Sequence, residues 1–320
     1  MAHRTLSVIM PNYNHSQYLP RSLDAIVTQS RPPDELIVLD DASTDNSVEI
    51  IKQYAALHSF VRLVVHERNG GVMSSVRDLL ALATGDFVYP VSADDYVLPG
   101  FFEEAMRLTE VYPQAALVQG KTVVVNEKDD EQQVVGVAAW CEPRFASSQE
   151  YLRDCLQSTP NWHFMTGATI YHRQKLAEQG DFRENLGPCA DAFALMATGL
   201  KYGVCYTPQR CAAYRSLDTG FAGTQARNTE RMLQIAENVA TLMRSPEFRE
   251  RFPEDFVAGW RSNLERWIFD CYVLSLRRRY GASTIGLWRG RLLKQYLNLK
   301  VKLAYGDDLV RYMRQHPATP

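Results

Sequence analysis

Residues 6–51 read LSVIMPNYNHSQYLPRSLDAIVTQSRPPDELIVLDDASTDNSVEII, and the fold class turns on them. Leu6–Met10 is a short apolar run without alternation, the pattern of a strand buried on both faces. It passes at once into polar residues, after which Leu19, Leu23, Ile26 and Val27 recur at helical spacing. Leu36–Leu39 repeats the strand pattern, and Val48, Ile50, Ile51, Tyr54 and Leu57 repeat the helical one. Working outward, Val61–Val65 predicts a third strand, and Val72–Ala83 a helix that Gly85 ends. Asp86–Val91 predicts a fourth strand, and Pro99–Tyr112 a fourth helix with proline in its first turn. Strands and helices alternating on such short connections predict an α/β fold with a mostly parallel central sheet and right-handed crossovers.

Further along, Ala115–Val125 and Val134–Ala139 read as strands around the charged turn NEKDDEQQ. Thr166–Tyr171 reads as a strand, and Gln174–Gln179 and Asp191–Tyr202 read as helices. Beyond Gly223 the pattern is helical almost to the end, so a soft boundary near Ala222–Gln225 separates a domain of residues 1–222 from a helical region, 223–320. A hydrophobic fraction of 46% and a charged fraction of 22% exclude disorder and fibrous classes. The net charge of −2 gives no general affinity for nucleic acid.

No apolar run approaches the roughly 20 residues of a membrane span. The N-terminus lacks the small-residue cleavage site of a signal peptide, and the six cysteines show no C-x-x-C pair. A cytoplasmic location with buried free thiols is expected. One stretch departs from the charge balance: no acidic residue lies between Asp270 and Asp307, while eight basic ones do, interleaved with Trp288, Leu292, Tyr296 and Leu299. Residues 277–305 read as an amphipathic element for an anionic membrane surface, on the inner face of the cytoplasmic membrane. A helix packed on the catalytic domain or a homodimer interface is the alternative reading.

In open α/β sheets ligands bind beyond the carboxyl ends of the strands. Those ends carry Pro11-Asn12-Tyr13-Asn14, Asp40-Asp41-Ala42-Ser43, Asn69-Gly70-Gly71 and Ser92-Ala93-Asp94-Asp95. All are polar and two hold paired carboxylates. Asp94 and Asp95 suit Mg²⁺ or Mn²⁺, which take one or two carboxylates together with substrate phosphates; a helix cap near Pro99 is the plainer alternative. Asp40 and Asp41 suit a ribose or base, or else cap the helix that carries Val48. Neither G-x-G-x-x-G nor G-x-x-x-x-G-K-[ST] occurs, which argues against a dehydrogenase or a P-loop protein.

The succession VIMPNYNHSQYLPRSLDAIVTQS, ELIVLDDASTDNS and RNGGVMSSVRDLLALATGDFVYPVSADDYVLPG resembles the N-terminal half of family 2 inverting glycosyltransferases of the GT-A fold. The likeness covers residues 6–112 and runs more loosely through MTGATIYHRQKLAEQG, Asp191 and AAYRS to about residue 222. It implies a nucleotide-sugar half, 1–112, an acceptor half, 113–222, and roles for particular residues. Pro11, Tyr13 and Asn14 would form the donor pocket, with Tyr13 offering a stacking face to uracil or another base. Asp41 would accept the base N–H, and Arg77 would reach the base or phosphates. Asp94 and Asp95 would hold Mn²⁺ or Mg²⁺, Asp94 also meeting the donor, and Arg215 would lie in a segment that closes on the diphosphate. Asp191 would be the general base, its alternative being a cap for helix 192–202.

Three positions depart from the family pattern: Ser92 and Ser216 stand where aspartate and histidine are frequent, and Ala190 where glutamate is. His163 could replace the missing histidine or simply pack, and His15 is expected to face solvent. The implied reaction moves one sugar, with inversion, from a nucleoside diphosphate sugar, UDP-linked by preference, to a hydroxyl of a glycan or lipid-linked acceptor in surface polysaccharide or lipopolysaccharide synthesis. A nucleotide-sugar-binding protein without turnover is one competitor. A nucleotidyltransferase is another, but it would want a Gly-rich basic loop where this chain has PNYNHSQYLP.

Overall fold

The apolar run at Leu6 has no polar face to offer water, so its strand needs partners on both edges and cover on both faces. In the computed structural model, which describes residues 4–137, 140–157, 167–217, 220–226 and 228–280, it has them. β1 (Leu6–Asn12) lies between β2 (Glu35–Asp40) and β4 (Phe87–Pro90), both parallel to it, and β3 (Val61–Val65) extends the parallel set beyond β2. The crossovers are α1 (Leu19–Val27), α2 (Ser47–Leu57) and α3 (Val72–Leu82). Leu19, Leu23 and Ile26 form the buried stripe of α1.

Past β4 the sheet changes character. β5 (Tyr96–Val97) is followed by α4 (Phe101–Val111), β6 (Leu117–Val125), β7 (Glu131–Val135), β8 (Arg144–Ala146) and α5 (Ser148–Gln157). Then come β9 (Thr169–His172), α6 (Arg173–Ala177), a 3₁₀ turn at Glu184–Cys189, α7 (Ala190–Tyr202) and β10 (Val204–Arg215). The strand order is β3-β2-β1-β4-β9-β6-β10-β5, with β7 on β6 and β8 on β10. β9 runs antiparallel to both β4 and β6, and β6 and β10 are parallel. The first half is thus a parallel sheet and the second a mixed one.

The longest strand, β10, is not legible as one in the sequence. Its ladder with β6 shifts register between Tyr206 and Ala212, where Pro208 lacks a donor and Gln209 and Arg210 are exposed. The irregularity hides the period-2 signal. Two other expectations are corrected. α4 begins at Phe101 behind Gly100, whose φ of 81° only glycine adopts freely, so Pro99 stands outside the helix. β7 begins at Glu131 rather than at Val134, because the charged turn is tight enough for Glu131 to pair with Val125.

The chain divides into two compact units, residues 1–217 and 218–320. The second contains α8 (Phe221–Ala226), α9 (Thr229–Met243) and α10 (Glu254–Tyr280). α9 buries Met232, Ile235, Val239 and Met243, α10 buries Val257, Trp260 and Leu264, and Arg261 pairs with Glu237 at 2.8 Å. The side chains of the basic stretch 277–305, and all of Trp162 and His163, lie outside the described residues. Among the described residues no helix is long and apolar enough to cross a membrane.

Gly120 on β6 shows how tightly the mixed half is packed. A Cβ there would collide with the side chain of Cys211 on β10. Gly120→Ala is expected to cost about 1–3 kcal/mol, the usual worth of overpacking. Combining it with Cys211→Ala should return part of that loss. Urea denaturation of the two single variants and the double variant measures the coupling.

Candidate functional site

Parallel register brings the strand ends to one edge. Asn12 pairs with Asp40, and Asp40 with Val65, so the residues after β1, β2 and β3 emerge side by side. The Asn12 side-chain amide donates to Asp40 Oδ2 at 2.7 Å, and the Ser43 N–H donates to Asp40 Oδ1 at 2.9 Å. Asp40 is fully buried and spent on this turn. Ala42 is held at φ 61°, a left-handed conformation that costs an L-residue roughly 1–2 kcal/mol. That strain bends the chain away from β2 and leaves Asp41 at the edge.

Asp41 has a second task that the sequence does not announce. Its Oδ1 accepts from Gly70 N–H at 2.9 Å and meets His66 Nδ1 at 2.8 Å, and its Oδ2 accepts from Gly71 N–H at 2.8 Å. Gly71 is the N-cap position of α3 and has φ 85°, so Asp41 supplies across 30 residues the anion that this helix terminus favours. Burial works against its ionised form, but the donors at Gly70, His66 and Gly71 outweigh it and hold the pKa below the ordinary 3.8. One acceptor direction on Oδ2 is left by these contacts. Neither Asp40 nor Asp41 caps α2, where Asn46 is the N-cap and Asp45 accepts from Ser47 N–H at 3.0 Å.

Around this edge lie the other expected donor residues. Pro11 is within β1, opposite Leu39. Tyr13 is exposed beyond the end of β1. Asn14, at φ 55°, accepts the Thr44 N–H on its side-chain oxygen at 2.8 Å and donates its own backbone N–H to the Ser43 hydroxyl oxygen at 2.9 Å. Arg77, on the exposed face of α3, donates to Ser74 and Asp78 and lies 3.9 Å from Glu184.

Asp94 and Asp95 follow β4 and precede β5, which pairs with Ala212 and Ala213 near the end of β10. Asp94 is 9% exposed. Burial pushes its carboxyl pKa up, with the charges of His15 and Arg215 opposing. For Asp95 burial and then the charge of Asp94 push the pKa well up, although the Arg215 N–H donates to Oδ1 at 2.7 Å. Neither residue caps α4, whose N-cap is Gly100 without a side-chain bond. Two crowded carboxylates that resist ionisation gain most from a divalent cation. Among the described residues no group of three or more His, Cys, Asp or Glu could hold a metal. Two carboxylates could hold Mg²⁺ or Mn²⁺ only with phosphate and water oxygens completing the shell.

Asp191 lies inside the first turn of α7, behind an N-cap at Cys189, and not at the cap position. Its Oδ1 accepts the Ala192 N–H at 2.7 Å. It is half-buried near Tyr171 of β9; burial, followed by the charge of Asp191, raises the pKa of that tyrosine's hydroxyl well above 10.

Two residues escaped the sequence reading. His66 directly follows β3, and counting strand ends strictly would have found it before Asn69. Its two ring nitrogens lie 2.8 Å from Asp41 and 3.2 Å from Asp78. His15, expected to face solvent, is half-buried; Tyr18 and Leu19 N–H donate to its carbonyl, and its ring is close enough to Asp94 to act on that carboxyl electrostatically.

The model of the family described as Glycosyl transferase family 2 matches residues 7–180. The glycosyltransferase YibD of Escherichia coli (strain K12) is 40% identical over 103 residues, 32% of this chain and 30% of that protein. The chain spans 30% to 52% of the length of the first three curated relatives it matches. Among solved structures, S. aureus TarS 1-349 in complex with UDP-GlcNAc is 17% identical with a TM-score of 0.62, covering 94% of this chain and 92% of that one. Mannosyltransferase PcManGT from Pyrobaculum calidifontis, in complex with GDP-Man and Mn2+, is 18% identical with a TM-score of 0.59, covering 99% and 89%. At these identities the structures share the GT-A fold with this chain.

Replacing Asp41 by asparagine keeps its shape and removes its charge. Asp41→Asn is expected to lose about 1.5–3 kcal/mol at pH 7, the worth of hydrogen bonds to a charged acceptor. A lowered folded-state pKa contributes stability above 3.8 that vanishes as pH falls through the folded value. The gap between wild type and variant in urea midpoints should therefore be full at pH 7 and shrink towards pH 2.

Proposed function

The chain belongs to glycosyl transferase family 2, and on that premise we propose that it transfers a sugar, with inversion, from a UDP-sugar to a hydroxyl of a glycan or lipid-linked acceptor, with a divalent cation bound. The observation that carries the reading is the pair Asp94–Asp95, the first buried and the second half-buried and both short of compensating charge, on the same carboxyl edge as Asp41 and Tyr13. Structural relatives solved with UDP-GlcNAc and with GDP-Man and Mn2+ support a nucleotide sugar and a metal.

The base follows from Asp41. Its one remaining acceptor direction suits a single ring N–H, as uracil has, better than the adjacent N–H donors of guanine. Tyr13 stacks on that base, and Arg77 on α3 approaches the phosphates. Asp94 and Asp95 would hold Mn²⁺ or Mg²⁺, which would supply positive charge for the departing diphosphate. Asp191 accepts the proton of the acceptor hydroxyl on the opposite face of the sugar; one carboxylate suffices for inversion. A nucleotidyltransferase would need a Gly-rich basic loop after β1, and this chain instead enters α1 through a turn closed on the His15 carbonyl.

Chelation by EDTA should abolish transfer, and Asp95→Ala should do the same while the melting temperature holds. Full transfer in chelator would remove the metal from the reaction. Asp191→Asn should keep UDP and Mn²⁺ affinity yet lower turnover by roughly 10²- to 10⁴-fold, the worth of acid–base catalysis. Near-normal turnover with acceptor present would show that Asp191 serves only the helix. UDP-sugar hydrolysis by the unmodified chain separates an enzyme from a protein that binds nucleotide sugar without turnover.

A further inference from the structure

Arg215 stands where the resemblance places a diphosphate contact, yet its side chain is already engaged. It is 3% exposed. Nε donates to the Asp94 carbonyl at 3.1 Å, and Nη1 donates to the carbonyls of Asn126 at 3.2 Å and Glu127 at 3.1 Å. Nη2 pairs with Asp129 Oδ1 at 2.7 Å. The guanidinium lies 4.9 Å from the ring centroid of Tyr18 and 5.9 Å from that of Tyr96. Its own backbone N–H donates to Asp95 Oδ1 at 2.7 Å. Asp129 is also 3.6 Å from Arg21 Nε, and Arg21 lies 4.1 Å over the Tyr96 ring.

One side chain thus ties four segments together: the loop holding Asp94 and Asp95, β5, the start of α1, and the turn between β6 and β7. All three guanidinium nitrogens are committed. These contacts take four of its five N–H groups, so a phosphate would have to compete with the half-buried Asp129 carboxylate and with three backbone carbonyls, groups that are costly to leave unpaired inside a protein. Arginine's rigid planar fork suits such a multi-point anchor, whereas lysine offers a single compact charge.

We propose that Arg215 is a positioning residue: it pins the β6–β7 turn to the Asp94–Asp95 loop so that both carboxylates are presented to a divalent cation, and it does not bind the donor phosphates. This rests on the reading of Asp94 and Asp95 as metal carboxylates. It also gives the exposed turn Asn126–Asp130 a function in the donor site, through Asp129. Partners that orient metal ligands contribute roughly 10- to 100-fold to metal affinity, so that is the loss expected here.

The test is Mn²⁺ binding by the full chain, read from the electron paramagnetic resonance signal of free Mn²⁺, alongside calorimetric UDP binding in chelator. Arg215→Lys should weaken Mn²⁺ roughly 10- to 100-fold while UDP affinity in chelator stays within about twofold. Asp129→Asn should weaken Mn²⁺ in the same direction by less; asparagine tolerates the φ of 67° there, so this variant tests the anchor even if Arg215→Lys fails to fold. Unchanged Mn²⁺ affinity in both variants, with Asp95→Ala losing it, overturns the positioning role alone. A drop in chelator UDP affinity for Arg215→Lys overturns it in favour of a phosphate contact. If wild type and Asp95→Ala both leave the Mn²⁺ signal untouched, the metal reading fails and this role with it.

Discussion

β1 is buried on both faces, and the parallel hydrogen-bond ladder it must form with β2 and β4 brings the polar segments after these strands to one edge. Once Asn12 is opposite Asp40 and Asp40 opposite Val65, the segments after the strands have nowhere to go but one shared edge. The bonds from Asn12 and Ser43 to Asp40 consume that carboxylate in holding the edge together. Asp41, one residue further and beside the strained Ala42, turns to the start of α3, where His66, Gly70 and Gly71 hold its carboxylate.

The two acidic pairs meet opposite fates for one reason, the supply of donors. Around Asp41 the Gly70 and Gly71 amides and the His66 ring more than offset burial, and its charge is stabilised before any ligand arrives. Around Asp94 and Asp95 the compensation is thin: one backbone N–H to each carboxylate, the nearby Arg215 and His15, and burial that prevails over them. A carboxylate already satisfied holds the β2 and β3 strand ends to the start of α3. A site left unsatisfied is where a cation gains most.

The departures Ser92 and Ser216 look like losses when read one position at a time. In three dimensions the neighbourhood of Ser216 is occupied by Arg215, whose contacts run to the acidic loop on one side and to Asn126, Glu127 and Asp129 on the other. The charged turn NEKDDEQQ, which reads as an ordinary solvated hairpin tip, acquires a buried counter-ion in this way. Half-buried His15, in the turn that starts α1, similarly acts on the Asp94 carboxyl.

From residues 6–112 alone the alternating strands and helices are legible, because each buried strand is a continuous apolar run and each crossover helix carries its own 3.6-residue stripe. The strand-end rule then points to Pro11–Asn14, Asp40–Ser43 and Asp94–Asp95 without further help. What sequence could not supply is anything dependent on distant partners. The bulge at Pro208 masks β10, so the mixed half of the sheet is visible only when β9 and β10 are seen against β6. Asp41 as the anion at the start of α3, 30 residues away, and Arg215 bound to Asp129, 86 residues away, are decided by tertiary structure, since hydrogen bonds and ion pairs select partners by proximity in space, and local pattern carries no record of that.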